Sequence, residues 1–428
     1  MTTTTNDEGT VNYCDNDNLA TDMATSSFDQ PGTSVLSPSG DFVSLGGTKL
    51  EGVDITSTTP RGPTKSIQSV DKKREVYRSE TDWLISNIAW ANDGTYKLAL
   101  TSYIERYKNF VQIVNLNRDE YDEDIESICT FEHPYPATKI LWSPRPYSKS
   151  SQLLATTADN LRLWRLDENG ESTSPAIGAS ESNQRVKLKC LLNANQGPLT
   201  SFDWSDDANL IVTSSFDSTC TIWDVNSGKI TNLFPSDSMN HQGESGKAAA
   251  HQEHHTYDVA WSHLATGKDG IVMCGDDSIR LFDLREPANP ITLYKISSTQ
   301  ILPSDNKSSL VRVSCSRQDS ELVATFADNS GQLLIIDMRK PGRPLCVLEH
   351  SNSVNSISWS PKSSKGICSG GDDNQAYIWQ VAADPPDDQP NEPLLAYRAN
   401  GKINAVSWAP SNIFIAIGYR NVLELLRV

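Results

Sequence analysis

Histidines and aspartates recur along the chain at places where they could carry out acid–base chemistry. The histidines precede short apolar runs and the aspartates stand in polar turns: His133, His251 and His350; Asp159, Asp217, Asp276, Asp328 and Asp373. A catalytic hypothesis pairs them as His–Asp dyads, in which the carboxylate orients a general base. A structural hypothesis uses the same groups to hydrogen-bond turn backbones and strand tryptophans. Buried polar groups need such partners, so we predict structural networks and no catalytic residues.

Other motifs for chemistry give little support for an enzyme. His251-Gln-Glu-His254-His255 has the residue types of a metal site, but only a helix would place His251 and His255 on one face, and the HExxH order is absent. The chain has no GxSxG elbow, no GxxxxGK[ST] loop and no GxGxxG turn. A hydrolase built on repeated strands would need clustered acids, a nucleophile or a metal. We therefore predict no enzyme, no metal and no cofactor.

The histidines and turn aspartates stand at similar places relative to a short repeated signature, which is an apolar residue two places before an aromatic. It occurs seven times, once with Cys in place of the aromatic: Ile88-Ala-Trp90, Ile140-Leu-Trp142, Phe202-Asp-Trp204, Val259-Ala-Trp261, Val313-Ser-Cys315, Ile357-Ser-Trp359 and Val406-Ser-Trp408. Each copy is followed by a small-residue strand and, after a polar turn, by a third apolar strand. The copies lie about 53 residues apart, against roughly 40–45 for a minimal WD repeat. This pattern predicts an all-β, seven-bladed WD-repeat β-propeller.

The ends of the chain predict how the ring closes. The last repeat stops in its third strand at Val428, which leaves one blade without an outer strand, and an open edge needs cover. We predict that Val76 and Tyr77 supply that strand, so residues 74–428 form the propeller. Deleting residues 74–80 should then destabilise the whole ring. Residues 1–73 are rich in Ser, Thr and Asp and are predicted to form a disordered arm whose deletion, over residues 1–70, is harmless.

Composition limits the classes of partner and compartment. A formal charge of −17 disfavours direct binding to DNA or RNA, and no long apolar run predicts a membrane span. The N-terminus lacks the pattern of a secretory signal, so a cytoplasmic and nuclear protein is expected, monomeric within larger complexes. Eight cysteines are spread singly. We expect them to be small buried residues without disulfides.

Some charged or modifiable segments suggest binding in loops or in the arm. Acidic runs at 119–124 and 384–388 could steer a basic partner, although such runs are more often solvated loops. Ser37-Pro38 and Thr59-Pro60 have the form of proline-directed phosphorylation sites, for which chance occurrence in a Ser/Thr-rich arm is the simpler explanation.

Four segments together resemble the TRANSPARENT TESTA GLABRA family of WD-repeat scaffolds, whose animal members are called WD-repeat protein 68 or cullin-associated factor 7. They are Phe131-Glu-His-Pro-Tyr-Pro-Ala-Thr-Lys139, Leu199-Thr-Ser-Phe-Asp-Trp204, Ser218-Thr-Cys-Thr-Ile-Trp223 and Leu423-Glu-Leu-Leu-Arg-Val428. The resemblance covers residues 74–428. It implies a protein-binding scaffold with protein kinases, MYB or basic helix-loop-helix transcription regulators as partners in signalling or development. The Cys at position 315 and the length of the arm depart from the pattern.

A second functional hypothesis is a substrate receptor of a cullin-RING ubiquitin ligase. Some WD-repeat proteins bind the ligase adaptor through a WD-type dipeptide followed two places on by Arg. Phe282-Asp-Leu-Arg285 and Ile336-Asp-Met-Arg339 match that motif except that Trp is replaced. Arg285 and Arg339 would present planar, charge-assisted hydrogen-bond donors to the adaptor, or would simply pair with a neighbouring blade.

Overall fold

The computed structural model describes most of the repeat region and three short strands before it. The described residues are 2–5, 11–14, 43–44, 75–105, 108–117, 124–145, 151–167, 185–193, 197–235, 255–264, 268–287, 289–296, 309–382 and 391–428. All regular structure within these ranges is β-strand. Since no helix occurs there, none is present that could cross a membrane.

Strands are numbered in chain order. The N-terminal strands are β1 (Thr2–Thr5), β2 (Val11–Cys14), β3 (Val43–Ser44) and β4 (Val76–Glu80). Blade 1 contains β5 (Leu84–Trp90), β6 (Lys97–Tyr103), β7 (Asn109–Leu116) and β8 (Ile125–His133), and blade 2 contains β9 (Lys139–Trp142), β10 (Ser151–Thr157), β11 (Leu161–Asp167) and β12 (Val186–Leu192). Blade 3 contains β13 (Leu199–Trp204), β14 (Leu210–Ser215), β15 (Thr219–Asp224) and β16 (Ile230–Pro235).

The remaining blades follow the same order. Blade 4 contains β17 (Thr256–Leu264), β18 (Lys268–Gly275), β19 (Ser278–Asp283) and β20 (Ile291–Lys295). Blade 5 contains β21 (Leu310–Cys315), β22 (Leu322–Ala327), β23 (Gln332–Asp337) and β24 (Cys346–Glu349). Blade 6 contains β25 (Val354–Trp359), β26 (Gly366–Gly371), β27 (Gln375–Gln380) and β28 (Leu395–Arg398), and blade 7 contains β29 (Ala405–Trp408), β30 (Phe414–Tyr419), β31 (Val422–Arg427) and β4.

Seven antiparallel sheets form a closed β-propeller, as the repeats predict. The first strands of neighbouring blades contact one another around a central channel. We call the end where each first strand begins the upper face, and the end where it finishes at the signature residue the lower face. Turns between second and third strands therefore lie on the upper face, and loops after the third strand lie on the lower face.

Ring closure occurs as the sequence predicts. Strand β4 pairs with β31, with Val76 opposite Leu426 and Tyr77 opposite Leu425. Tyr77 is only 1% exposed, and its ring meets Phe414 edge-on with the ring centres 5.8 Å apart. The two ends of the propeller sequence thus share one sheet, so the ring is held by pairing that is very distant in sequence.

Hydrophobic clusters fill the seams between blades. Seven such clusters occur in the described residues, and each combines residues of two adjacent blades. Burying a Leu or Ile side chain in a seam contributes about 2 kcal/mol. Each blade is therefore stabilised mainly by its neighbours, which is why closure matters to the whole ring.

Signature tryptophans add polar links across three of these seams. The indole N–H of Trp90, Trp142 and Trp359 donates to a backbone carbonyl of the preceding blade, at 2.9, 3.2 and 2.9 Å. Cys315 occupies the signature position of blade 5 and has no indole N–H, but β21 pairs with β22 in the usual way. Burial raises the pKa of its thiol to about 12, so it stays protonated.

One cysteine departs from expectation. Six of the described cysteines are free thiols, but Cys190 is disulfide-bonded. The expectation that no cysteine forms a disulfide was therefore wrong for Cys190. Its strand β12 is the outer strand of blade 2, and β2 adds to that edge with Cys14 opposite Cys190 in register.

Candidate functional site

Blade 6 contains a complete buried network built from predicted residues. His350 Nδ1 lies 3.0 Å from Asp373 Oδ2, and Nε2 lies 2.7 Å from Ser369 Oγ. The indole N–H of Trp379 also donates to Ser369 Oγ, at 2.7 Å. An indole N–H can only donate, so Ser369 accepts from Trp379 and shares a second hydrogen bond with His350. This network links four parts of blade 6: the loop that precedes β25, strand β26, strand β27 and the turn between those two strands.

The three residue types Ser, His and Asp are those of a hydrolase triad, but burial argues against that role. Ser369 and His350 have side chains that are 0% exposed, and Asp373 is 3% exposed. A nucleophilic hydroxyl must reach a substrate carbonyl, and no solvent path to Ser369 Oγ is visible at this burial. Burial alone would raise the pKa of Asp373, but hydrogen bonds from His350 and backbone amides hold it below its ordinary value. The arrangement stabilises the blade.

The network entering blade 2 lacks its aspartate. His133 Nε2 lies 3.0 Å from Thr156 Oγ1, which also accepts from the indole of Trp164 at 2.9 Å. Asp159 instead pairs with Arg162, at 2.6 Å. Burial, opposed by a hydrogen bond with the Tyr135 carbonyl and reinforced by the Arg162 charge, lowers the pKa of His133 to about 4. His133 is therefore neutral at pH 7, and Asp159 does not join it.

Two other predicted turn aspartates, Asp217 and Asp328, make hydrogen bonds within their own turns. Asp217 accepts from the amide and hydroxyl of Thr219, at 3.0 and 2.6 Å. Asp328 accepts from the Asn329 side chain at 2.8 Å. The turns in blades 3 to 7 each place a non-glycine residue at positive φ, which favours the Asp or Asn found there in blades 4 to 6: Ser218, Asp276, Asn329, Asn374 and Arg420.

His251 lies outside the described residues. In the loop that enters blade 4, it is His255 whose backbone N–H donates to Asp276 Oδ2, at 3.2 Å. The described residues contain no group of three or more His, Cys, Asp or Glu placed to hold a metal ion. The acidic loop runs and the two Ser/Thr-Pro sites fall on residues that are not described, apart from Asp124.

A charged cluster inside the central channel was not predicted. Lys139 Nζ lies 3.1 Å from Asp258 Oδ1, and the Lys139 ammonium also donates to Ser201, at 3.0 Å. Asp258 accepts further from Ser201 and from the backbone N–H of Val313, at 3.0 Å for Val313. The cluster joins blades 2, 3, 4 and 5.

Electrostatics explain why Asp258 is charged although its side chain is only 2% exposed. Burial would raise its pKa, but Lys139 and Arg312 lower it further than burial raises it. Lys139, Ser201, Asp258 and Arg312 all stand three residues before the signature aromatic or its Cys replacement. Alignment of the repeats could have found this shared position. The contact between Lys139 and Asp258 could not be predicted, because only the closed ring brings their blades together.

The same channel opens into a cavity of about 350 Å³ lined by first-strand residues of all seven blades. Arg317 of blade 5 reaches Asp206 of blade 3 at 3.5 Å near the lower mouth. The cavity lining carries cations at Lys139, Arg312 and Arg317, and carboxylates at Asp203 and Asp258. These opposite charges nearly cancel, so the cavity has no strong preference for an ion of either sign.

The predicted adaptor arginines lie at equivalent positions of adjacent blades on the lower face. Arg285 follows β19 and donates from Nε and Nη2 to Asp283, at 3.2 and 2.9 Å. Arg339 follows β23 and donates from the same atoms to Asp337, at 2.9 and 2.7 Å. These hydrogen bonds raise the pKa of both guanidinium groups.

Both guanidinium groups remain accessible. The side chains of Arg285 and Arg339 are 57% and 63% exposed. The loop after Arg339 is held against blade 4, because the N–H of Gly342 donates to the Leu293 carbonyl at 2.7 Å. Neither arginine forms an ion pair with another blade in the described residues. Each planar fork is instead oriented by the aspartate two residues earlier and presents its Nη1 side away from that aspartate.

Comparisons with known proteins agree with this architecture. Residues 186–224 and 342–380 match the WD domain, G-beta repeat family. The first match runs from β12, the outer strand of blade 2, to the end of β15, the third strand of blade 3. The second runs from just before β24, the outer strand of blade 5, to the end of β27, the third strand of blade 6. The sequence repeat and the structural blade are thus offset by one strand, which is why β4 must complete the last blade.

Relatives extend the similarity over the whole propeller. The chain is 35% identical to a DDB1- and CUL4-associated factor 7 homolog of Dictyostelium discoideum, covering 83% of this chain and 100% of the relative. It is 31% identical to an uncharacterized WD repeat-containing protein of Schizosaccharomyces pombe, over 70% of this chain and 68% of the relative. A WD repeat-containing protein of Saccharomyces cerevisiae is 30% identical, over 71% of this chain and 57% of the relative. The chain therefore belongs to the WD-repeat family that includes the DDB1- and CUL4-associated factor 7 homolog.

Proposed function

We propose that this chain is a non-catalytic scaffold that binds proteins on the faces of its propeller and works with a cullin-RING ubiquitin ligase. The observation that carries the ligase role is the pair of exposed arginines, Arg285 and Arg339, at the same position of adjacent blades. The name of the Dictyostelium relative, which refers to DDB1 and CUL4, supports the same role.

The geometry of the arginines suits adaptor docking. A guanidinium already oriented by a carboxylate loses little side-chain freedom when a partner binds. The Nη1 donors of this planar, charged group are free to bind a hydrogen-bond acceptor on the adaptor. A Lys side chain could not reproduce that geometry. Two such groups on neighbouring loops would fix both the position and the orientation of the adaptor.

Adaptor binding can be measured directly with the purified full-length chain and the DDB1-type adaptor of the ligase. We expect Arg285→Ala with Arg339→Ala to lower the affinity by about tenfold or more, as for a pair of interface hot spots. Arg317→Ala is the matched control, because Arg317 is also an exposed lower-face arginine paired with a carboxylate. Unchanged binding by the double variant, or an equal loss in the control, would reject the adaptor role.

The scaffold's other partners are proposed to be protein kinases or transcription regulators in the cytoplasm and nucleus. This part rests on the resemblance to the TRANSPARENT TESTA GLABRA family, which also suggests MYB and basic helix-loop-helix proteins. Affinity purification of the full-length chain and of residues 74–428 from native cells, followed by mass spectrometry, tests it. We expect kinases or transcription regulators with both forms, and their absence from both would contradict the proposal.

A further inference from the structure

Large apolar side chains are exposed on the upper face of blades 1 to 3. Nine such residues are exposed in the described part of the chain, and four of them lie on this face: Leu84, Tyr103, Tyr135 and Phe216, at 50%, 52%, 55% and 46%. We call these four the upper-face strip. The other five lie on or beside outer strands or at the chain end: Leu188, Leu233, Ile291, Leu394 and Val428. Isolated exposed residues need no explanation, whereas several on one face mark an interaction surface.

Local contacts hold the strip in place. Leu84 and Tyr103 are directly opposite each other on β5 and β6, so their side chains share one side of blade 1. The loop carrying Tyr135 is tied down because its carbonyl lies 2.5 Å from His133 Nδ1. In blade 3 the Phe216 ring stacks on His255, with the ring centres 4.2 Å apart and an angle of 17°. The Phe216 ring, held by this stacking contact, loses little entropy on binding.

Charge around the strip is mostly negative. Asp82, Glu105 and Asp217 are exposed carboxylates beside the strip residues in the sequence. Two exposed cations lie in the same region: Lys108 is paired with Glu132 at 2.9 Å, and Arg420 lies beside Leu84, its carbonyl accepting from the Ile85 amide at 2.6 Å. The chain as a whole carries −17. An occupant of this face would therefore be attracted if it were positively charged and repelled if it were acidic.

We propose that the upper-face strip docks a basic peptide segment of a partner protein that inserts apolar side chains between Leu84, Tyr135 and Phe216. The proposal deepens the scaffold function and rests on it, but it concerns the face opposite Arg285 and Arg339. The apolar groups supply the affinity, and the surrounding carboxylates select basic over acidic segments. One propeller would then hold the adaptor below and the peptide above at the same time.

Peptides selected from a random phage-displayed library on the immobilised full-length chain provide the probe. Fluorescence polarisation then gives their affinities for the chain and for its variants. We expect the selected peptides to combine basic and apolar residues. Tyr135→Ala with Phe216→Ala should weaken binding by about tenfold. Leu233→Ser with Ile291→Ser, which changes equally exposed apolar residues on outer strands, should leave it unchanged.

A second variant tests the role of charge in peptide binding without changing any apolar side chain. Asp82→Asn with Glu105→Gln removes two exposed carboxylates and should weaken the same peptides by roughly threefold, with the difference vanishing at high salt. Selected peptides without basic residues, failure to select any peptide, or equal binding by the Tyr135 and Phe216 variant would overturn the proposal.

The two faces are tested separately. The arginine double variant should bind the selected peptides normally, and the strip variant should bind the adaptor normally. Loss of adaptor binding in the strip variant would show that the two sites are not separate. Failure of the adaptor experiment alone would leave the peptide result intact, since the selection uses no adaptor.

Discussion

Two hydrogen-bonded side-chain pairs of similar length differ in what they do. His350 and Asp373 approach to 3.0 Å on the upper side of blade 6, with side chains 0% and 3% exposed. Arg339 and Asp337 approach to 2.7 Å on the lower face of blade 5, but the arginine is 63% exposed. Breaking a buried pair leaves a buried polar group without its partner, whereas an exposed group is rehydrated. Burial, more than contact distance, therefore separates groups that stabilise the propeller from groups free to bind.

The largest expected effect tests burial at ring closure. Deletion of residues 74–80 removes β4 with Tyr77 and exposes the seam around Phe414 that Tyr77 covers, so we expect loss of cooperative unfolding for the whole propeller. Thermal unfolding followed by circular dichroism measures it. The control deletion of residues 1–70 keeps β4 and should leave the ring closed. A normal melting transition after the 74–80 deletion would show that the seams alone hold the ring.

Next in size is the buried pair itself. Asp373→Ala leaves His350 Nδ1 and the amides of Ser351 and Gln375 without their acceptor, and should lower the free energy of unfolding by about 3–5 kcal/mol in total. Asp328→Ala is the matched control, because Asp328 occupies the equivalent turn of blade 5 but is exposed and bonds to the Asn329 side chain. That change should cost less than about 1 kcal/mol. Urea denaturation measures both variants. Equal losses of unfolding free energy would show that burial does not separate Asp373 from Asp328.

The third prediction concerns pH and His133. In the folded chain its pKa is about 4, below the ordinary value of 6.5, because the side chain is buried. Between these two values the unfolded chain binds a proton that the folded chain does not, so stability falls as pH decreases from 6.5 towards 4. The expected loss near pH 4 is roughly 3 kcal/mol. Urea denaturation at several pH values should show a shallower dependence for His133→Asn, and identical slopes would contradict the assignment.

The smallest effect on stability is expected at the exposed pairs. Arg285→Ala with Arg339→Ala should leave the melting temperature essentially unchanged, because both guanidinium groups are largely in water. Differential scanning calorimetry of the double variant measures this. A large fall in melting temperature would assign these arginines to the fold and weaken the proposal that they are kept for binding.

Much of the fold could be predicted because its pattern is local. Seven copies of the apolar–aromatic signature gave the number of blades, and the missing outer strand gave the ring closure at Val76 and Tyr77. Site details were less accessible. Asp159 and Asp373 both precede an Asn in the turn before a third strand, yet Asp159 binds Arg162 and not the blade's histidine. The Arg three residues after Asp159 is visible in the sequence, but only its position in the blade shows which partner it takes.

The sequence by itself determined the strands, their turns and the repeat, because alternation of apolar residues and turn chemistry act between residues that are close in the chain. Only the tertiary structure decided which polar groups meet. Lys139 and Asp258 are 119 positions apart and meet because the ring brings blades 2 and 4 to one channel. Exposure was decided in the same way: Arg339 and Asp373 are both charged turn residues, but the loop that enters blade 6 covers Asp373, whereas Arg339 stays in water.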